Sequence, residues 1–152
     1  TGVTLQYSIA SICFGMIIGT SLAICKTADS KLLRIFAVSY TSVFRGTPML
    51  VQLTIIHYGL PSLLGIKISI FVSGVVAFSL NSGAYVSEII KAGIKGIDKG
   101  QIEAAKALGI PPVLRMKDII LPQALRNILP ALVNELINLI KESALISVIG
   151  GM

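Results

Sequence analysis

A chain of 152 residues that is 54% hydrophobic and 13% charged, with a mean hydropathy of +0.86, carries about half the charge usual in a soluble domain, roughly a quarter. Its apolar residues come in long uncharged stretches, which excludes an ordinary soluble domain and indicates a polytopic membrane protein in contact with lipid. The net charge of +6 does not signal nucleic acid. The basic residues sit in two loops between apolar stretches, with no aromatics interleaved for base stacking, and the positive-inside rule explains them more simply.

Cys13 and Cys25 are twelve residues apart in the first apolar stretch and cannot meet on one helix, so they read as small apolar residues rather than a disulfide. The chain begins at Thr1, stops at Met152 just after Gly150-Gly151, and shows no signal-peptide cleavage pattern; it reads as a fragment.

Crossing the hydrocarbon core takes roughly 20 helical residues. A first span fits near 4–25, where Ser11, Gly15, Gly19 and Ala23 recur every fourth residue. Such a ridge lets another helix approach closely, and intramolecular packing is expected rather than dimerisation. Lys26 to Arg34 forms a polar connector, and Ile35 to Phe44 is a short apolar run ended by Arg45. Further spans are expected near 46–66, 68–88 and 127–149, with one long charged loop at 95–122, all within a single domain over 1–152. Lys and Arg number ten in the connector and the long charged segment against Lys67 alone on the other side. The basic face is therefore expected in the cytoplasm and the N-terminus outside.

Within the long loop, Asp98-x-x-Gln101 has the form of a capping box. Gln101 to Leu108 reads as a helix stopped by Gly109. Pro111-Pro112 starts a second helix through Ile120, which Leu121-Pro122 is expected to break. Ala104, Ala105 and Ala107 are expected to be exposed and to suit docking into another protein's cleft.

Glu103-Ala104-Ala105, Gly109 and Ile120-Leu121-Pro122 at this spacing resemble the EAA loop of ABC importer permeases. The resemblance extends to Phe44-Arg45-Gly46-Thr47-Pro48-Met49-Leu50-Val51-Gln52, to Leu80-Asn81-Ser82-Gly83-Ala84-Tyr85-Val86-Ser87-Glu88, and to Leu121-Pro122-Gln123-Ala124-Leu125-Arg126, as in the polar amino acid branch. It implies an all-α transmembrane bundle of the type I importer kind, here lacking a fifth helix. It further implies that Glu103, Ala104, Ala105, Gly109, Leu121 and Pro122 couple the chain to ABC ATPase subunits. Other implied partners are a second permease chain, identical or related, and a periplasmic or extracellular amino-acid-binding protein. No GxxxxGK[ST] loop is present, so ATP and Mg are expected on the partner ATPase, with no cofactor, metal site or enzyme activity in this chain.

Polar residues also mark the fourth span. With Glu135 at zero on a helical wheel, Glu142 falls about 20° away, Asn138 about 60°, Asn134 about 100° and Lys141 about 120°, all on one side. Intramembrane charges are costly, so this arc reads as lining a translocation path. In the resembled family the acidic pair seven residues apart matches substrate-contacting positions, although many members carry Asp where this chain has Glu142. The alternative is structural, with Lys141 neutralising a glutamate or pairing with another helix. Asn81 and Glu88, seven apart on the third span, either line the path or sit at a helix interface. Arg45 reads as a topological anchor, with gating or carboxylate pairing as the alternative. Pro130 is expected to kink the span.

The expected function is a permease subunit importing a polar amino acid, glutamine or a basic one such as arginine, across a bacterial inner membrane. The rivals are a secondary transporter, a membrane enzyme and a structural subunit.

Overall fold

The computed structural model describes residues 2–150, and every regular element among them is helical. Helix α1 spans Gly2–Thr27, α2 spans Lys31–Gly46, and α3 spans Met49–Leu64 with a π turn at Ile55–Gly59. Helix α4 spans Ile70–Lys95 and α5 Lys99–Ala107. Helix α6, Pro112–Arg115, passes through a π turn at Met116–Ile120 into α7, Leu121–Glu142. A 3-10 segment, Ser143–Ile149, follows.

Helices α1 and α4 are long and apolar enough to cross a membrane. They differ in role. Only 28% of the most apolar window of α1 is buried against 61% of that of α4, so α4 is the central post and α1 lies on its flank. The other two expected spans take a different form. Helix α3 is a shorter apolar helix. The expected span at 127–149 is divided between the end of α7 and the 3-10 segment.

Small residues set the packing of the central pair. A Cβ on Gly15 would stand 2.8 Å from Ser82 Oγ, one on Gly19 2.5 Å from Val86 Cγ1, and one on Gly74 2.6 Å from Tyr7 Cε1. Partners in all three contacts are 67 residues apart, so α1 and α4 run parallel in constant register. The expected Ser11, Gly15, Gly19 and Ala23 ridge is buried along its whole length, and it is used within the chain, as anticipated. Parallel neighbours need a connection that returns the chain to the starting end of the bundle, and α3 supplies it. Helix α7 runs the other way along α4, with Asn127 near Gly93 and Gly96 at one end and Ile146 against Gly74 at the other. Tyr7, Leu53, Phe78, Leu139 and Ile146 fill the apolar core among these helices.

Two expectations need correction. Lys31–Gly46 is one amphipathic helix, not a connector followed by a short apolar run, because its polar and apolar residues sort by face once wound. Leu121-Pro122 does not break the second loop helix. Pro122 lacks an N–H and its ring crowds the preceding turn, and the π turn just before it widens that turn, so α6 runs on into α7. Pro130 lies inside α7.

Substituting Gly19 with Leu is expected to destabilise the helix pair by on the order of 1–3 kcal/mol from overpacking, since Val86 and the Gly83 carbonyl already occupy the space. A lowered melting temperature of the detergent-solubilised protein checks this.

Candidate translocation site and coupling loop

The buried stripe of α7 consists of Ala124, Ile128, Glu135 and Leu139. Glu135 therefore sits in the middle of the face turned to the bundle, 8% exposed, beside Ser82 of α4. The hydroxyls of Ser11 and Ser82 are both buried and unpartnered. A carboxyl group and a free hydroxyl thus meet at one level, next to the glycine contact of α1 with α4. Burying polar groups is costly unless they are paired, which makes this level of the bundle a candidate site.

The rest of the expected arc does not point inward with it. Asn134, Asn138 and Lys141 are exposed and Glu142 is half-buried. The reason is angular: the buried stripe centres on Glu135, so residues 60–120° to one side (about 100° per residue) leave the bundle. Among the described residues Lys141 forms no ion pair, so its neutralising a glutamate within the chain finds no support. The structure therefore gives one buried carboxyl and an open polar flank beside it.

Asn81 lies elsewhere. Its amide donates to the Phe44 carbonyl at 3.2 Å and to Gln52 Oε1 at 3.0 Å. Gln52 in turn donates to the Phe44 carbonyl and to Thr47 Oγ1, both at 2.8 Å. These bonds staple the α2–α3 corner, where Gly46-Thr47-Pro48 interrupts the helix, onto α4. Tyr40 adds a bond from its hydroxyl to the Leu80 carbonyl at 2.7 Å. Gln52 was not among the expected site residues. Its sequence signals were an uncharged amide in an apolar window and its place at the end of the Phe44–Gln52 motif, and its partners are set by tertiary folding.

A second polar junction closes the other end of the α1–α4 pair. Buried Lys26 donates to Glu88 Oε1 at 2.6 Å and to Ser87 Oγ at 3.0 Å. Arg45 approaches Glu88 Oε2 at 3.8 Å and lies 5.5 Å over the Tyr85 ring. Glu88 is thus an interface carboxylate and Arg45 is paired with it, in both cases one of the two alternatives the sequence left open.

In the loop, Asp98 caps α5 by accepting from the Gly100 N–H at 3.0 Å. This is one residue short of the reciprocal box, and Gln101 uses its own N–H on the Asp98 carbonyl instead. Gly109 adopts φ +71°, the left-handed stop expected of it. Ala105 is a correction: it is 2% exposed, because the chain folds back at Gly109 and the Ile110 N–H bonds the Ala105 carbonyl. Glu103, Ala104 and Ala107 remain exposed, as do Leu121 and Pro122. Leu108 at 79% and Val113 at 76% exposure add an apolar tip that sequence reasoning missed. Beneath it, Ile97, Ile102, Ile120, Ala124 and Ile128 anchor the loop to α7.

Residues 11–152 match the family model described as the inner membrane component of binding-protein-dependent transport systems. The chain belongs to this family. A protein of Rickettsia conorii named as a glutamine transport system permease is 62% identical over 152 residues, covering 100% of this chain and 70% of that relative. The arginine transport system permease of Bacillus subtilis is 56% identical over 148 residues, covering 97% of this chain and 68% of its own length. Among solved structures, an amino acid ABC transporter crystallised with histidines matches with TM-score 0.93 at 47% identity, over 97% of this chain and 68% of that one. The methionine transporter MetNI, inward facing, matches with TM-score 0.78 at 22% identity over 97% of this chain and 71% of that one, a likeness of fold alone. The all-α permease fold and the family resemblance expected from the sequence are both borne out.

In this permease the Lys26–Glu88 pair has one buried partner and one part-exposed partner. Glu88→Gln is expected to cost about 3–5 kcal/mol, because Lys26 is left buried without its counter-charge. The double variant with Lys26→Met should recover most of that loss. Thermal unfolding of the three variants in detergent measures the cycle.

Proposed function

We propose that this permease carries a polar amino acid, glutamine or a basic one such as arginine, through a path lined by Glu135, Glu142, Asn138, Asn134 and Lys141. Asn81 holds the wall of that path in place. The observation that carries the reading is Glu135, a carboxyl group buried at the centre of the bundle-facing stripe of α7. A carboxylate there suits an ammonium, a guanidinium or an amide N–H of an amino acid. The relatives named for glutamine and arginine transport support this cargo class.

The open flank of Asn134, Asn138 and Lys141 supports a second permease chain, identical or related, facing it across a shared pore. ABC ATPase subunits, which hold ATP and Mg, seat on the loop through Glu103, Ala104, Gly109 and the Leu108–Val113 tip. Leu121 and Pro122, exposed at the start of α7, belong to the same docking surface, and buried Ala105 braces it from beneath. An external amino-acid-binding protein delivers the cargo. Helices α1, α3, α4 and α7 cross the inner membrane, with the N-terminus outside and the α5–α6 loop in the cytoplasm, as the ten-to-one distribution of basic residues supports. ATP binding closes the ATPases, and the rigid passage from α5 through the isoleucine cluster to α7 transmits that movement to Glu135.

Glu135→Gln is expected to lower uptake of labelled amino acid by roughly tenfold or more, the loss of one charge-assisted hydrogen bond. Uptake in proteoliposomes with unchanged rate and substrate preference would assign Glu135 to structure alone. Gly109→Val forces a branched side chain into a left-handed conformation. It should abolish uptake and ATPase co-purification while leaving membrane insertion intact; survival of both would remove the coupling assignment.

A further inference from the structure

Beyond Glu135, a cleft of about 580 Å3 opens at the loop end of α4. Its walls include Arg45, Tyr85, Glu88, Gly93, Asn127 and Ala131. The volume is within the range of small-molecule sites, about 300–1,000 Å3. Its chemistry is bipolar. Glu88 spends one carboxylate oxygen on Lys26, while the other stands 3.8 Å from Arg45, beyond hydrogen-bond length. Arg45, 5.5 Å over the Tyr85 ring, lines the cleft and carries a planar fork of donors. Asn127 donates to the Gly93 carbonyl at 3.2 Å and retains its amide oxygen as an acceptor. A group with a carboxylate beside an ammonium suits both walls, the carboxylate on Arg45 and the ammonium on Glu88 Oε2, by entering between two groups that stand 3.8 Å apart.

We infer that this cleft is a second amino-acid station, which grips the α-carboxylate and α-ammonium common to all amino acids and lies between Glu135 and the coupling loop. It rests on the reading of this permease as an amino acid carrier. Glu88 is six residues beyond Ser82, the neighbour of Glu135, which places the cleft about 9 Å further along α4 at 1.5 Å per residue. A cargo leaving Glu135 towards the loop meets this cleft next. The division of labour follows from the groups present. Glu135 offers one carboxyl, which selects among side chains or amines, whereas the cleft offers Arg45 and a carboxylate shared with Lys26, which act on the α-groups and ignore the side chain. Gly93 and Gly96 floor the cleft next to the isoleucine cluster that carries α5, so movement of the loop alters its walls directly.

The test is equilibrium binding of radiolabelled L-arginine and L-glutamine to the full-length permease assembled with its ATPase, without binding protein. Two molecules per permease chain are expected. Arg45→Gln should leave one, as should Ala92→Leu, which fills the cleft without touching a charge. Glu135→Gln should remove the other. Agmatine, which is arginine without its carboxylate, should compete at least about tenfold more weakly at the site that survives Glu135→Gln. A single site that is lost with Glu135→Gln and untouched by Arg45→Gln and Ala92→Leu overturns the second station. Equal competition by agmatine overturns it too. Absence of binding by any amino acid removes the carrier reading itself, and the cleft's role with it.

Discussion

Helices α1 and α4 lie in parallel contact along a line where a glycine on one helix faces a side chain of the other at each crossing point. Gly15 and Gly19 admit Ser82 and Val86, Gly83 admits Ile18, and Gly74 admits Tyr7. In lipid there is no water to expel, so close van der Waals contact must itself supply the attraction. Everything else in the fold inherits that register. Because the two helices run the same way, the chain has to double back through α3. Because α4 is covered by α1 on one flank and α7 on another, it becomes the post to which the polar features are attached.

Those features sit at successive levels of α4. Asn81 staples the α2–α3 corner through Gln52, Ser82 stands by Glu135, and Glu88 collects Lys26 and Arg45. Each removes an intramembrane or near-membrane polar group from lipid by giving it a partner across helices, the only arrangement that keeps its cost tolerable. Transport chemistry is proposed at Glu135, beside Ser82. The α5–α6 loop meets the same post at its far end, through isoleucines rather than charges.

What the sequence by itself determined is what depends on local order and composition. The deficit of charge, the small-residue ridge, the Asp98 cap and the Gly109 stop each follow from neighbours within a turn or two. The family was legible in the loop for the same reason, since its motif is a run of short-range signals. The polar character of residues 134–142 was visible as well, but not which of them would turn inward. A helical wheel gives angles relative to one another and carries no zero until a neighbouring helix fixes one.

Tertiary structure decided the rest. It chose Glu135 over Asn138 for the bundle interior and turned Asn81 to Gln52. It buried Ala105 beneath a returning chain and let Pro122 pass inside a helix by widening the turn before it. It also brought Lys26, Arg45 and Glu88, from three separate helices, to one junction. Such pairings join residues dozens of positions apart, so their energy depends on how helices dock rather than on how any one of them forms. No periodicity along the chain encodes that docking, and it becomes fixed only when the glycine contact sets α1 against α4.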